Sequence, residues 1–239
     1  GEARVLLSVH HVLVDGWSNT AIHIEAEKLL GVYSAASALA NSSVLTFPQG
    51  AVSAPPPPFA DFIRWLRSRK PSASLAFWKE HLAVMPPVPS GLAFLGEAAT
   101  SGRQSSWTPS VARFAEMSSA VPAAGLTKAA KLMGVTLGSL CASALSLVLM
   151  EYTMDGCVTI GCTVSGRPPS MAAVDEIVGP FINTIPLAFQ APDAGTSLVR
   201  WMRAQQARFA DALEHSHLPL PEISKRASCR ELFRVLYVF

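Results

Sequence analysis

The chain has 239 residues, 50% of them hydrophobic and 15% charged, with a net charge of +2. That is enough apolar chain for a sizeable core, in one large domain or two smaller ones. No basic run reads as a phosphate-binding stripe, which argues against a nucleic-acid partner, and an opening with Glu2 and Arg4 but no Ala-x-Ala-type cleavage site does not read as a signal peptide.

Residues 4–11, Arg-Val-Leu-Leu-Ser-Val-His-His, predict a short buried strand. After Gly16, Ser18 can cap a helix with apolar positions at Ile22, Ala26, Leu29, Leu30 and Tyr33. Periodicity is then lost over 41–58, which ends in Pro55-Pro56-Pro57-Pro58, an extended connector without backbone donors. Phe59, Phe62, Ile63 and Leu66 place an aromatic stripe on one helix face, and Leu75, Trp78 and Leu82 do so on the next. The Pro-, Gly- and Ser-rich stretch at 84–110 is the candidate lobe boundary.

A helix is expected from about Pro122 to Gly134, with proline in its first turn and glycine at its end. A longer one follows from Thr136 to about Tyr152. No charge falls between Lys131 and Glu151, yet the serines, glycines and threonine in that stretch favour a buried helix over a membrane span. Asp155-Gly156 turns the chain into a strand over 157–165, where Val158, Ile160, Cys162 and Val164 predict one buried face. A second strand is expected near 182–189, and Thr196 should cap a helix carrying Leu198, Trp201, Met202, Gln205, Phe209 and Leu213. Residues 232–239 read as a further strand. Strands and helices without strict βαβ alternation indicate an α/β fold, or an α+β sandwich. Cys141, Cys157, Cys162 and Cys229 are widely spaced, so neither a disulfide framework nor a zinc site is expected, and the default compartment is reducing and cytoplasmic.

The chemistry gathers in His10-His11-Val12-Leu13-Val14-Asp15-Gly16-Trp17-Ser18. Two imidazoles close an apolar run, and histidine is the side chain suited to proton transfer near neutral pH. Gly16 reads as allowing a tight turn and close backbone approach. Asp15 suits two roles, orienting a histidine or pairing with a basic residue to fix the loop. A metal site and a pair of structural histidines are the competing readings, the first lacking a third ligand.

The same segment resembles the HHxxxDG motif of nonribosomal peptide synthetase condensation domains. Other stretches are similar to that family in the right order: Phe59–Trp65, Ala76–Leu82, Gly134–Thr136, Ser165-Gly-Arg-Pro168, Ile177–Pro186 and His217–Ile223. The resemblance implies two chloramphenicol-acetyltransferase-like lobes forming a V with the active site at their interface. Residues 1–90 would be the C-terminal part of the first lobe and 91–239 most of the second, so the chain covers roughly the middle half of such a domain. It implies amide formation between a donor acyl or peptidyl thioester and the amine of an acceptor aminoacyl thioester. His11 would be the catalytic residue, as base or as positioner of the amine. His10, Asp15 and Gly16 would shape the site, with Arg167 as partner of Asp15, and Trp17, Ser18, Gly179 and Asn183 would border the substrate channel.

No metal or directly bound cofactor is implied, since phosphopantetheine arrives on the donor and acceptor peptidyl carrier proteins beside a neighbouring adenylation domain. Neither nucleic acid nor membrane enters. Ala188 stands where many members carry arginine. An ester-forming or free-standing acyltransferase, and a degenerate lobe that only docks carrier proteins, are the rival readings. Asp15-Gly-Trp-Ser18 departs from the epimerisation motif, and the two histidines from cyclisation domains.

Overall fold

The computed structural model describes residues 6–40, 56–83, 115–118, 121–225 and 231–239. By contacts, Gly1–Lys70 and Ser165–Ile182 form one unit, while Pro71–Val164 and Asn183–Phe239 form another. The first contact boundary therefore falls at Lys70–Pro71, ahead of the residue-90 boundary read from the sequence. The stretch at 84–110 lies outside the described residues.

The first unit carries α1 (Gly16–Ala40), α2 (Phe59–Ser68) and one turn of 3-10 helix at Val174–Glu176. Residues 6–10 do not form the expected strand: they are irregular and exposed. A strand needs a neighbour to take its backbone bonds, and no described residue pairs with this segment. Pro58, at φ −70° and ψ 147°, keeps the polyproline II conformation up to α2; Pro55 lies outside the described residues.

On α1, Ile22 and Leu29 are half-buried whereas Ala26 and Leu30 are exposed, so the expected stripe has no core of its own; the side chain of Tyr33 lies outside the described residues. The aromatic stripe of α2 does find one. Phe62 packs with Val174, Ile177 and Phe181, flanked by Phe59, Ile63, Trp65 and Leu66. The rings of Phe62 and Phe181 lie 4.4 Å apart, and Phe59 meets Phe181 edge-on at 5.2 Å.

The second unit is built on β1 (Cys157–Val164), which runs antiparallel to β2 (Asn183–Gln190) and parallel to the short β3 (Leu236–Tyr237), in the order β2-β1-β3. Around it stand α3 (Pro71–Ala83), α4 (Ala123–Met133), α5 (Leu137–Thr153), α6 (Leu198–Glu214) and α7 (Leu220–Ser224). Val158, Ile160, Ile185 and Leu187 meet Trp78, Trp201, Met202 and Ile223 in one core.

β1 is buried on both faces, not one, because it is the central strand; its small residues let neighbours close in, and a side chain at Gly161 would meet the Phe233 ring at 2.3 Å. The last strand is shorter than expected, with β-pairing confined to Leu236–Tyr237. Pro122 is the residue before α4 rather than in its first turn, and Gly134 closes that helix at φ 70°. Thr136 caps α5, its hydroxyl accepting from Ser139 N–H, and Ser197, not Thr196, caps α6 by accepting from Arg200 N–H.

α5 buries Ser139, Ala142, Ser143, Ser146 and Met150, while Val148 and Tyr152 are exposed. Among the described residues no single helix is long and apolar enough to cross a membrane; α4 and α5 qualify only as a pair bent by 94°.

His81, on α3, stacks on Phe77 at 5.2 Å and has a buried Nε2 without a hydrogen-bond partner among the described residues. Burial, reinforced by Arg208 and opposed by Asp211, pushes its pKa down to about 4. The folded protein therefore holds this imidazole neutral while the unfolded chain takes up a proton near 6.5. Stability is complete above that value and declines as pH falls toward about 4. Denaturant midpoints measured across this window should fall less steeply in His81→Phe than in the native protein, and parallel profiles would reject the assignment.

Candidate active site

Asp15 is the first residue of the site to be fixed, because it caps α1. Its Oδ1 accepts from Ser18 N–H at 2.8 Å, and its carbonyl accepts the first helical bond, from Asn19 N–H. The cap is therefore Asp15, not Ser18. Its other oxygen, Oδ2, accepts from Phe181 N–H at 3.0 Å, and Arg167 Nη2 lies 3.6 Å from Oδ1. Both side chains are buried. Burial works to raise the Asp15 pKa, but the bonds from Ser18 and Phe181 and the charge of Arg167 together hold it below the ordinary carboxylate value. A carboxylate held this way is a fixed structural charge.

Arg167 serves as a hub. Its Nη1 donates to the carbonyls of Val174 and Ile177, the latter at 3.0 Å, and its Nη2 donates to Ser18 Oγ at 3.2 Å. Its guanidinium lies over the Phe181 ring at 4.1 Å and 5.7 Å from that of Trp17. Trp17, half-exposed, donates its indole N–H to the carbonyl of Asp175. Gly166 makes this approach feasible: its φ is +64°, and a Cβ there would sit 1.8 Å from the Phe181 carbonyl oxygen. At Gly179 a Cβ would collide with the Phe59 ring at 2.1 Å. Gly16 has neither feature, since its φ is not positive and no atom lies within 4 Å of the place a Cβ would take. The tight turn and close approach expected there do not occur, because Gly16 is simply the first residue of a regular helix.

The two histidines precede this anchor. Residues 11–13 form a turn closed by Leu13 N–H to the His10 carbonyl, and His10 Nδ1 accepts from Val12 N–H at 3.1 Å. His11 is exposed on that turn, and among the described residues no hydrogen bond or ion pair engages its ring. The first unit thus brings together Asp15, Arg167, Trp17, Ser18 and Gly179, with His10 and His11 on the adjoining turn. Asn183 belongs to the second unit and is fully occupied there: its Nδ2 donates to the carbonyls of Ser216 and Leu218, and its Oδ1 accepts from Thr184 N–H. That is a clamp on a turn, and it leaves the amide little capacity for a substrate.

Phe181 and Gly166 are functional parts that the sequence reading did not single out. For Gly166 a signal existed, a glycine directly before the hub arginine. For Phe181 the contribution is a backbone N–H, which residue identity does not encode. Among the described residues no group of three or more His, Cys, Asp or Glu side chains converges as a metal site would require.

The condensation-domain family model matches residues 1–239. The chain is 30% identical to chondramide synthase cmdD of Chondromyces crocatus, over 100% of this chain and 6% of that protein. It is 28% identical to tyrocidine synthase 2 of Brevibacillus parabrevis, over 95% of this chain and 6% of that protein. Among solved structures, the first condensation domain of the CDA synthetase aligns with a TM-score of 0.63 at 18% identity, covering 96% of this chain and 47% of that one. The condensation domain of the monacolin K polyketide synthase MokA aligns at 0.62 and 21% identity, covering 96% and 48%. The chain spans about half the length of those solved structures and 6% of each of the two synthetases. With the ordered motifs, the α/β fold and the whole-length match in agreement, the chain belongs to the condensation-domain family.

Proposed function

We propose that this chain is part of a nonribosomal peptide synthetase condensation domain that joins a donor acyl or peptidyl thioester to the amine of an acceptor aminoacyl thioester. The observation that carries the reading is the exposed imidazole of His11 on a turn that leads into a buried, fully bonded aspartate. In the reaction the acceptor nitrogen attacks the donor carbonyl, a tetrahedral intermediate forms, and the C–S bond breaks to release the donor arm as a thiol. His11 accepts the proton shed by the amine and is the source of the proton that the departing sulfur takes up. Asp15 and Arg167 take no proton; they fix the start of α1, which follows the turn. Both substrates arrive on phosphopantetheine arms of donor and acceptor carrier proteins next to an adenylation domain, so the attack is effectively intramolecular. Free Cys141, Cys157 and Cys162 suit a reducing cytoplasm.

The test uses the complete condensation domain with one loaded carrier protein on each side. His11→Ala is expected to lower the single-turnover rate of amide formation by about 10²–10⁴-fold. Product formation at the native rate in that variant would remove His11 from the chemistry.

A further inference from the structure

We infer that Ser18 is a positioning residue for His11, acting through a two-way clamp on Gly179; the inference rests on the function proposed above. The Ser18 side chain is fully buried, and its hydroxyl uses its whole bonding capacity. Oγ donates to the Gly179 carbonyl at 2.7 Å, accepts from Gly179 N–H at 3.0 Å, and accepts from Arg167 Nη2 at 3.2 Å. One hydroxyl therefore satisfies both backbone groups of a single residue and one arm of the hub arginine. Its own N–H binds Asp15 Oδ1, whose partner oxygen holds Phe181 N–H. The first turn of α1 is tied to residues 179–181 at three points, and Ser18 takes part in all but the Phe181 bond.

Among the described residues the turn bearing His11 has no such ties. Its described hydrogen bonds run within residues 10–13, and the side chains of residues 10–13 are exposed. The place of the imidazole is therefore set from the Asp15–Ser18 end of the motif. Loosening the clamp lets the turn drift with no change in the chemistry of the histidine, and a displacement near 1 Å is enough to cost about 10²-fold in rate.

The experiment measures single-turnover kcat and acceptor KM for the complete domain with loaded carrier proteins, in four variants. Ser18→Ala should lower kcat by about 10–100-fold with KM within about twofold of the native value. Ser146→Ala is the control: its hydroxyl is also fully buried, and it donates to the Ser143 carbonyl inside α5. It should leave kcat intact. Ser18→Cys keeps the size with a weaker donor and acceptor, should fall between Ser18→Ala and native, and carries the test should Ser18→Ala fail to fold. His11→Ala separates the two ideas. If it abolishes the reaction while Ser18→Ala or Ser18→Cys keeps native kcat, the clamp is not a positioning device, although the proposed function stands. If His11→Ala is unimpaired, the catalytic role of His11 fails, and the positioning inference fails with it. Equal kcat losses in Ser18→Ala and Ser146→Ala would also overturn the inference, reducing Ser18 to a stabilising residue.

Discussion

Replacing Arg167 with methionine is expected to lower the unfolding free energy by about 3–5 kcal/mol, because it leaves a buried carboxylate without its counter-charge. Methionine approximates the volume, so the loss comes from polar groups rather than from a cavity. Asp15 keeps the amides of Ser18 and Phe181 but loses the guanidinium 3.6 Å away. The carbonyls of Val174 and Ile177 lose their common donor, and the Phe181 ring loses the cation above it. Arg167→Lys should recover only part of the loss, since an ammonium is a point charge and cannot fork across two carbonyls, a hydroxyl and a carboxylate at once. Adding Asp15→Asn to Arg167→Met should recover some stability, because the orphaned charge is gone. Denaturant titration of the complete domain, with Asp15→Asn alone added to native, Arg167→Met and the double variant, reads the pair as a cycle. A single-variant loss under about 1 kcal/mol would show that the pair is solvated and carries little.

Trp78→Ala is expected to cost a similar amount, about 3–5 kcal/mol, for a different reason. Trp78 is fully buried in the core of the second unit, meets Phe77 edge-on at 5.2 Å, and donates its indole N–H to the His215 carbonyl at 3.0 Å. Alanine opens a large cavity and removes the shorter of that carbonyl's two hydrogen bonds. Trp78→Phe fills most of the space but still loses the bond, so the difference between the two variants apportions volume against hydrogen bonding. The neighbouring contacts add to the expectation: Ser74 Oγ bridges His215 Nδ1 at 2.9 Å and His217 Nε2 at 3.3 Å, so α3 is held to that turn by several links at once. Near-native stability in Trp78→Ala, by the same titration, would mean that α3 contributes little to the unit.

What the sequence made legible was whatever repeats with a period or stops a helix. The stripes of α2 and α3, the start of a helix at Thr136 and the Gly134 stop follow from side-chain type and spacing, and the structure keeps them. Residues 6–10 read as strand because leucine and valine suit one, yet strand formation depends on a partner that their own sequence does not specify. Ser18 and Thr196 were read as caps because serine and threonine are good ones. The structure gives the work to Asp15 and Ser197, a shift of a few residues that depends on which side chain reaches the open N–H groups.

At the site, the motif supplied the residue types, but side-chain types alone left two roles for Asp15, and its pairing with Arg167 was implied only by the family resemblance. The rest was carried by backbone. The Phe181 amide, the Val174 and Ile177 carbonyls and both polar groups of Gly179 are the same atoms in any residue, so no composition or period could mark them.

Segment 165–182 leaves β1 at Val164 and re-enters β2 at Asn183, two residues paired with each other across the ladder. For recombination between condensation domains this sets the number of joints. A chimera made with one crossover near Lys70 would take Asp15, Ser18 and Phe59 from one parent but Gly166, Arg167, Gly179 and Phe181 from the other, splitting the Asp15–Arg167 pair and the Ser18–Gly179 clamp between two lineages. Keeping one parent's set together needs two further crossovers, at 164/165 and 182/183. Those positions are well suited to it, because the paired strands hold both ends of the inserted loop at a fixed separation whatever sequence runs between them.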